Sequence, residues 1–178
     1  MGNALLNIET YTYDDYIKWD DKGRWELIDG APYAMAAPSL RHQEILLELG
    51  RRFGNHLKGK KCKVFVAPVD VRLNHKTFDN TVVQPDLVIV CNPDIAKGAS
   101  INGIPDLVIE ILSPSNKKYD KITKLELYKN SKIPEIWLVD PEDKTVEVFV
   151  LEDDIYSSKY YGDNEIPVDT LEDFNISV

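Results

Sequence analysis

Apolar positions recur at helical spacing in one long stretch of the chain. Ile45, Leu46, Leu49, Phe53 and Leu57 mark one stripe of a helix introduced by Pro38-Ser39, with Ser39 as N-cap and His42 on the same stripe. Before it, Thr12 and Asp15 have the spacing of a capping box, which predicts a short helix over Tyr13 to Trp19. Asp29-Gly30 between two β-prone runs predicts a hairpin. The middle of the chain reads as strands. CKVFVAPVDVRL is one, interrupted at Pro68, and TVVQPDLVIV is a second with Pro85 inside it. PDLVIEIL, IPEIWLVD and TVEVFVL are further strands, and NPDIAKGASINGIP is a loop dense in turn residues. Asp120 to Lys129 reads as a helix with Ile122, Leu125 and Tyr128 on its apolar side. The acidic, aromatic remainder predicts one more strand. Helices covering a mostly β centre place the chain in the α/β (α+β) class.

Two carboxylates break the apolar strands. Asp86 interrupts VVQPDLVIV, and Glu110 interrupts PDLVIEIL. Alternation puts Asp86 with Val88 and Val90, and Glu110 with Val108 and Leu112, so both acids are expected to be at least half buried. A buried carboxylate costs several kcal/mol unless it is paired or bound to a metal. If the two strands pair, the acids face one another about 5 Å apart at the backbone and can share one cation. Asp106 shares a face with Glu110 but lies about 13 Å along the strand, too far for the same ion. A pair of solvent-facing acids on edge strands is the competing expectation.

Composition narrows the alternatives. With 178 residues, 43% of them hydrophobic and 29% charged, the chain has the make-up of one globular domain over 1–178, with a core of about 11–151 and an acidic extension over 152–178. No segment resembles a membrane span or a leader peptide. Cys62 and Cys91 stand alone in their surroundings, which argues against a zinc site and against a disulfide framework, and so for a soluble, reducing, cytoplasmic setting. The net charge of −9 argues against a nucleic-acid binder, but the charge is uneven. Residues 41–63 carry seven bases and two acids, residues 117–132 six bases and two acids, and the stretch from Glu152 to Asp173 eight acids and one lysine.

RHQEI, VFVAPVDVRL, TVVQPDLVIV, GIPDLVIEILSPSN, YDKITKLELY and IPEIWLVDP, in that order, resemble the Uma family of putative restriction endonucleases over about residues 11–151. The resemblance implies the PD-(D/E)XK nuclease-like fold, a central mixed sheet flanked by helices, here with an N-terminal hairpin and C-terminal strand additions. It implies a Mg²⁺-dependent endonuclease, with Mn²⁺ as a substitute ion, acting on nucleic acid, DNA more than RNA, as a possible homodimer. Asp86 and Glu110 would be catalytic metal ligands, with the Ile111 carbonyl as a further donor. The lysine expected two residues after Glu110 is absent, since Leu112 stands there. The resemblance moves it to the next helix, to Lys124, with Lys121 and Lys117 as substitutes. His42 and Glu26 match supporting positions. For Glu26, alternation with Trp25 and Leu27 predicts a solvent-facing carboxylate. Arg51, Arg52, Lys117, Lys118 and Lys121 would hold the nucleic-acid backbone, and the acidic tail would face away or meet a second subunit. The alternative is a non-catalytic binding or interaction protein that keeps the nuclease-like fold.

Overall fold

A computed structural model describes residues 9–20, 23–113, 119–151 and 155–178. The chain runs through α1 (Tyr13–Tyr16), β1 (Trp25–Ile28), β2 (Ala31–Ala34) and α2 (Leu40–Leu57). Seven strands follow: β3 (Lys63–Val66), β4 (Asp70–Arg72), β5 (Val82–Val83), β6 (Leu87–Val90), β7 (Ala96–Lys97), β8 (Ser100–Ile101) and β9 (Leu107–Ile111). A π-helical turn (Asp120–Lys124) then leads into α3 (Leu125–Asn130), β10 (Glu135–Asp140), β11 (Thr145–Leu151), β12 (Ile155–Tyr161), β13 (Ile166–Pro167) and β14 (Asn175–Ile176).

Two six-stranded sheets stack on each other. The central one has the order β12-β11-β10-β9-β6-β3, with β9 and β10 parallel and the other pairs antiparallel. The second has the order β2-β1-β5-β4-β8-β7 and is also mixed. Both β9 and β10 are buried along their whole length, because layers cover both faces of the central sheet. Leu46, Leu49 and Phe53 of α2 pack on one face with Leu87, Ile89, Ile109 and Trp137. On the other face, Val88, Val108, Ile136 and Leu138 meet Val71 and Val83 of the second sheet and Tyr128 of α3. The mixed α+β fold expected from the resemblance is present. One flank of its central sheet, however, is covered by a sheet and a short helix.

Local chemistry explains the elements. Ser39 Oγ accepts from the His42 N–H (3.2 Å), so the N-cap sets His42 in the first turn of α2. A Cβ added at Gly50 would meet Val66 Cγ1 at 3.2 Å, so the glycine lets α2 lie close against β3. Asp29 and Gly30 both take positive φ (49° and 81°), the backbone that a tight hairpin between β1 and β2 requires.

The two prolines act more strongly than the strand pattern suggests. Pro68 and Pro85 do not merely interrupt strands; the chain changes sheets at each. β3 and β6 belong to the central sheet, β4 and β5 to the second. A proline cannot donate into a ladder, so pairing stops there and the chain is free to cross between layers. Asp86 stands at the second crossing, immediately before β6.

Three further expectations change. Ile122 is 55% exposed, because the segment containing it winds as a π turn and not as a continuation of the α-helical stripe. The acidic C-terminal segment adds the expected strand, β12, to the central sheet, but it does not merely face away: Ile166, Val168, Leu171 and Ile176 are buried in the α2-side core. Cys62 and Cys91 form a disulfide, against the expectation from their isolation in sequence. The antiparallel register that pairs Lys63 with Val90 makes these cysteines the next cross-strand pair, a proximity that 29 intervening residues conceal. Among the described residues, no helix is long and apolar enough to cross a membrane.

Candidate active site

The acids of β6 and β9 meet because of register. Leu87 pairs with Ile109, so one step outward Asp86 stands opposite Glu110. Asp86 Oδ2 accepts the Ile111 backbone N–H (2.8 Å) and lies 3.0 Å from His42 Nε2. His42 in the first turn of α2 and the end of β9 thus hold one carboxylate oxygen from two sides. Asp86 Oδ1 has no hydrogen-bond partner among the described residues.

Glu110 is 3% exposed. Its Oε1 lies 2.7 Å from Lys124 Nζ and accepts the Tyr128 hydroxyl at 2.5 Å. Lys124 and Tyr128 are four residues apart, so the helix through them presents both side chains to the same acid. Lys124 is 2% exposed and also binds Glu26 Oε1 (2.8 Å). Burial, followed by the Glu110 charge, pushes the Tyr128 hydroxyl well above its ordinary pKa, so it remains a proton donor to Glu110.

Glu26 is 1% exposed, not solvent-facing as alternation predicts. Its strand lies in the second sheet, and the face expected to be outer closes over the centre formed by Glu110 and Lys124. The Gln84 N–H, just ahead of Pro85, donates to the same Glu26 oxygen (2.8 Å). Glu26, His42, Gln84, Asp86, Glu110 and Lys124 all line one open cavity of about 400 Å³.

The other candidates lie elsewhere. Lys121 binds Glu147 at 3.2 Å and approaches Asp140 at 3.8 Å. Arg51 and Arg52 both bind Glu48, and Arg52 also donates to Ser177. Neither arginine lines the cavity. Asp106 Oδ2 accepts the Cys91 N–H (2.6 Å), a structural role. Lys117 and Lys118 lie outside the described residues. Sequence reasoning missed Tyr128, which reads as an apolar position of its helix, and Gln84, whose contribution is partly a backbone N–H. The spacing from Lys124 to Tyr128 was the available signal for the tyrosine.

The donor set is one a hard cation would accept. Among the described residues no group of three His, Cys, Asp or Glu side chains forms a ready-made metal cage. Magnesium is commonly held by one or two carboxylates, with water and substrate phosphate completing the octahedron. Asp86 and Glu110, facing each other at the cavity wall with an unpartnered Asp86 Oδ1, fit that pattern.

The Uma2 family, described as "Putative restriction endonuclease", matches residues 13–178. The chain belongs to the Uma2 family. The Uma2 match extends through the C-terminal segment that packs into the core. An uncharacterized protein of Synechocystis sp., slr1290, is 30% identical over 145 residues, covering 79% of this chain and 74% of that protein. The crystal structure of a putative nuclease belonging to DUF820 from Anabaena variabilis superposes with a TM-score of 0.75 at 20% identity, covering 94% of both chains. That likeness establishes the nuclease-like fold of this Uma2 chain.

Proposed function

We propose that this protein is a Mg²⁺-dependent endonuclease that hydrolyses phosphodiester bonds of nucleic acid, DNA in preference to RNA. The observation that carries the reading is the pairing of Asp86 with Glu110 at a cavity wall, with the Lys124 ammonium buried against Glu110 and Glu26. A lysine coming from the helix after β9 stands in for the one missing two residues beyond Glu110.

Asp86 and Glu110 would hold the magnesium, with Mn²⁺ as a substitute. When bound, the ion supplies positive charge that polarises a phosphate and acidifies a water. Lys124 offers N–H donors at the cavity, where it can orient the attacking water and offset charge growing on the phosphate. Glu26 keeps that ammonium in place and compensates its burial. His42 orients Asp86, and Tyr128 fixes the Glu110 carboxylate. The water oxygen bonds to phosphorus and gives up one proton, the P–O bond to the leaving strand breaks, and the leaving oxygen takes up a proton, so one water is divided between the two product ends. A homodimer would bring two such centres to the two strands of a duplex, and the reading includes that assembly acting on DNA.

The test is cleavage of supercoiled plasmid, single-stranded DNA and RNA by the wild type and Glu110→Ala with Mg²⁺, Mn²⁺ or EDTA. Cleavage that requires metal and disappears in the variant is the expected result. A folded wild type that cuts none of the three polymers in any metal overturns the reading in favour of a non-catalytic binding protein.

A further inference from the structure

A second cavity, of about 270 Å³, adjoins the first and shares Arg24, Pro68 and Gln84 with it. Its walls are Tyr16, Trp19 and Trp25. The chain has three tryptophans: Trp137 is fully buried, whereas these two are only half-buried. Trp19 is held edge-to-face by Tyr11, Tyr16 and Trp25, with ring centroids at 5.4, 5.3 and 6.0 Å. The indole is thereby kept in place without being fully covered. Incompletely buried aromatic rings grouped beside the candidate active-site cavity mark a contact surface more than a core.

Hydrogen bonds connect this pocket to the candidate active site. Gln84 Nε2 donates to the Tyr16 hydroxyl and to Asp70 Oδ1, both at 3.0 Å. Arg24 Nη2 donates to Gln84 Oε1 at 2.9 Å, and the Gln84 backbone N–H holds Glu26. Burial, followed by the Asp70 charge, raises the Tyr16 pKa, which keeps its hydroxyl protonated within this network. One residue thus sets both the aromatic wall and a carboxylate that positions Lys124. Arg24, exposed at the boundary of the two cavities, is a cation placed where a phosphate passing from one to the other would run.

We infer that this pocket takes an unpaired nucleobase of the substrate strand, stacked on Trp19 with Trp25 against its edge, next to the phosphate presented to Asp86, Glu110 and Lys124. The inference rests on the nuclease reading for the role of the neighbouring cavity. Every base has a π face that an indole can stack on, so such a pocket reads strandedness more than sequence. Bases inside a duplex are already stacked. Only a single strand, an overhang, a frayed end or a flipped base can enter.

The test uses a 12-nucleotide oligothymidylate, an abasic oligomer of the same length and charge, and a 12-base-pair blunt duplex, with Ca²⁺ in place of Mg²⁺. Intrinsic tryptophan fluorescence and the anisotropy of labelled strands are followed for the wild type, Trp19→Ala and Trp19→Phe. The oligothymidylate is expected to quench the wild type and to bind at least about fivefold more tightly than the abasic strand. Trp19→Ala is expected to weaken oligothymidylate by roughly five- to hundredfold, Trp19→Phe by much less, and duplex binding by under about twofold. Equal affinity for the thymidylate and abasic strands overturns the inference, and this comparison needs no variant to fold. So does an equal loss on single strand and duplex in Trp19→Ala. Plasmid cleavage run in parallel separates the two ideas. A wild type that cuts but binds without regard to bases loses the pocket and keeps the nuclease. One that binds bases through Trp19 but never cuts does the reverse.

Discussion

Glu110 and Glu135 lie on neighbouring parallel strands, both almost wholly buried, and their charges are compensated in opposite ways. Glu135 accepts the Trp137 indole N–H (2.7 Å) and the backbone N–H groups of Asp169 (3.2 Å) and Thr170 (2.7 Å). These are fixed donors, and they attach the C-terminal segment to β10. Glu110 is met by a lysine and a tyrosine, and it opens on a cavity that Glu135 does not line. Leu138 pairs with Glu110 and Glu135 pairs with Leu107, which puts the two acids about 10 Å apart along the ladder. Burial alone therefore does not mark a chemical site. What sets Glu110 apart from Glu135 is that its compensation comes from titratable side chains at the edge of an open space.

The sharpest way to break this comparison is to neutralise each acid in turn. Glu110→Gln is expected to abolish metal-dependent plasmid cleavage, a loss of at least about a thousandfold. Glu135→Gln should cut at the wild-type rate, and equal losses in both would dissolve the distinction. Next in size is Lys124→Met, which leaves Glu26 and Glu110 buried without their cation. Urea denaturation should show a loss of about 3–5 kcal/mol, and adding Glu26→Gln should restore part of it.

The Glu135→Gln change turns an acceptor into a donor facing backbone N–H groups. It should cost about 1–3 kcal/mol in the same denaturation experiment while cleavage continues. Tyr128→Phe removes one buried hydrogen bond and should cost about 1 kcal/mol; a larger cost would mean the hydroxyl holds more than Glu110.

The smallest effect is in pH. Burial, opposed by its hydrogen bonds, raises the Glu135 pKa above 4.5, so the folded protein holds this proton more tightly than the unfolded chain. Its contribution to stability is fully present below 4.5 and is lost as pH rises through the folded value. Thermal melts across that window should show the stability gap between wild type and Glu135→Gln narrowing as pH rises. A widening gap would show that the amide donors outweigh burial.

Much of this was legible from residue types. The α2 stripe reappears as the buried set Ile45, Leu46, Leu49, Phe53 and Leu57, and Asp29-Gly30 makes its hairpin. Asp86 and Glu110 stood out because a charge inside an apolar strand needs a partner. Glu135 shows the limit of that argument, since it too sits in an apolar strand and two of its three partners lie 34 and 35 residues downstream. Tyr128 read as apolar because a phenol ring buries like a hydrophobe, and its hydroxyl has meaning only once Glu110 is beside it. Alternation misplaces Glu26 because period two tells which residues share a face but not which face is covered.

Local pattern thus determined the helices, most of the strands and the two acids as exceptions within apolar runs, because periodicity, caps and turn residues act over a few positions. Tertiary structure decided the rest. The sheet changes at Pro68 and Pro85, the Cys62–Cys91 bond, the capture of Lys124 between Glu26 and Glu110, and the aromatic pocket beside them all join residues from separate elements. Such contacts depend on how layers stack and in which register strands pair, and those choices are made by burial summed over the whole chain.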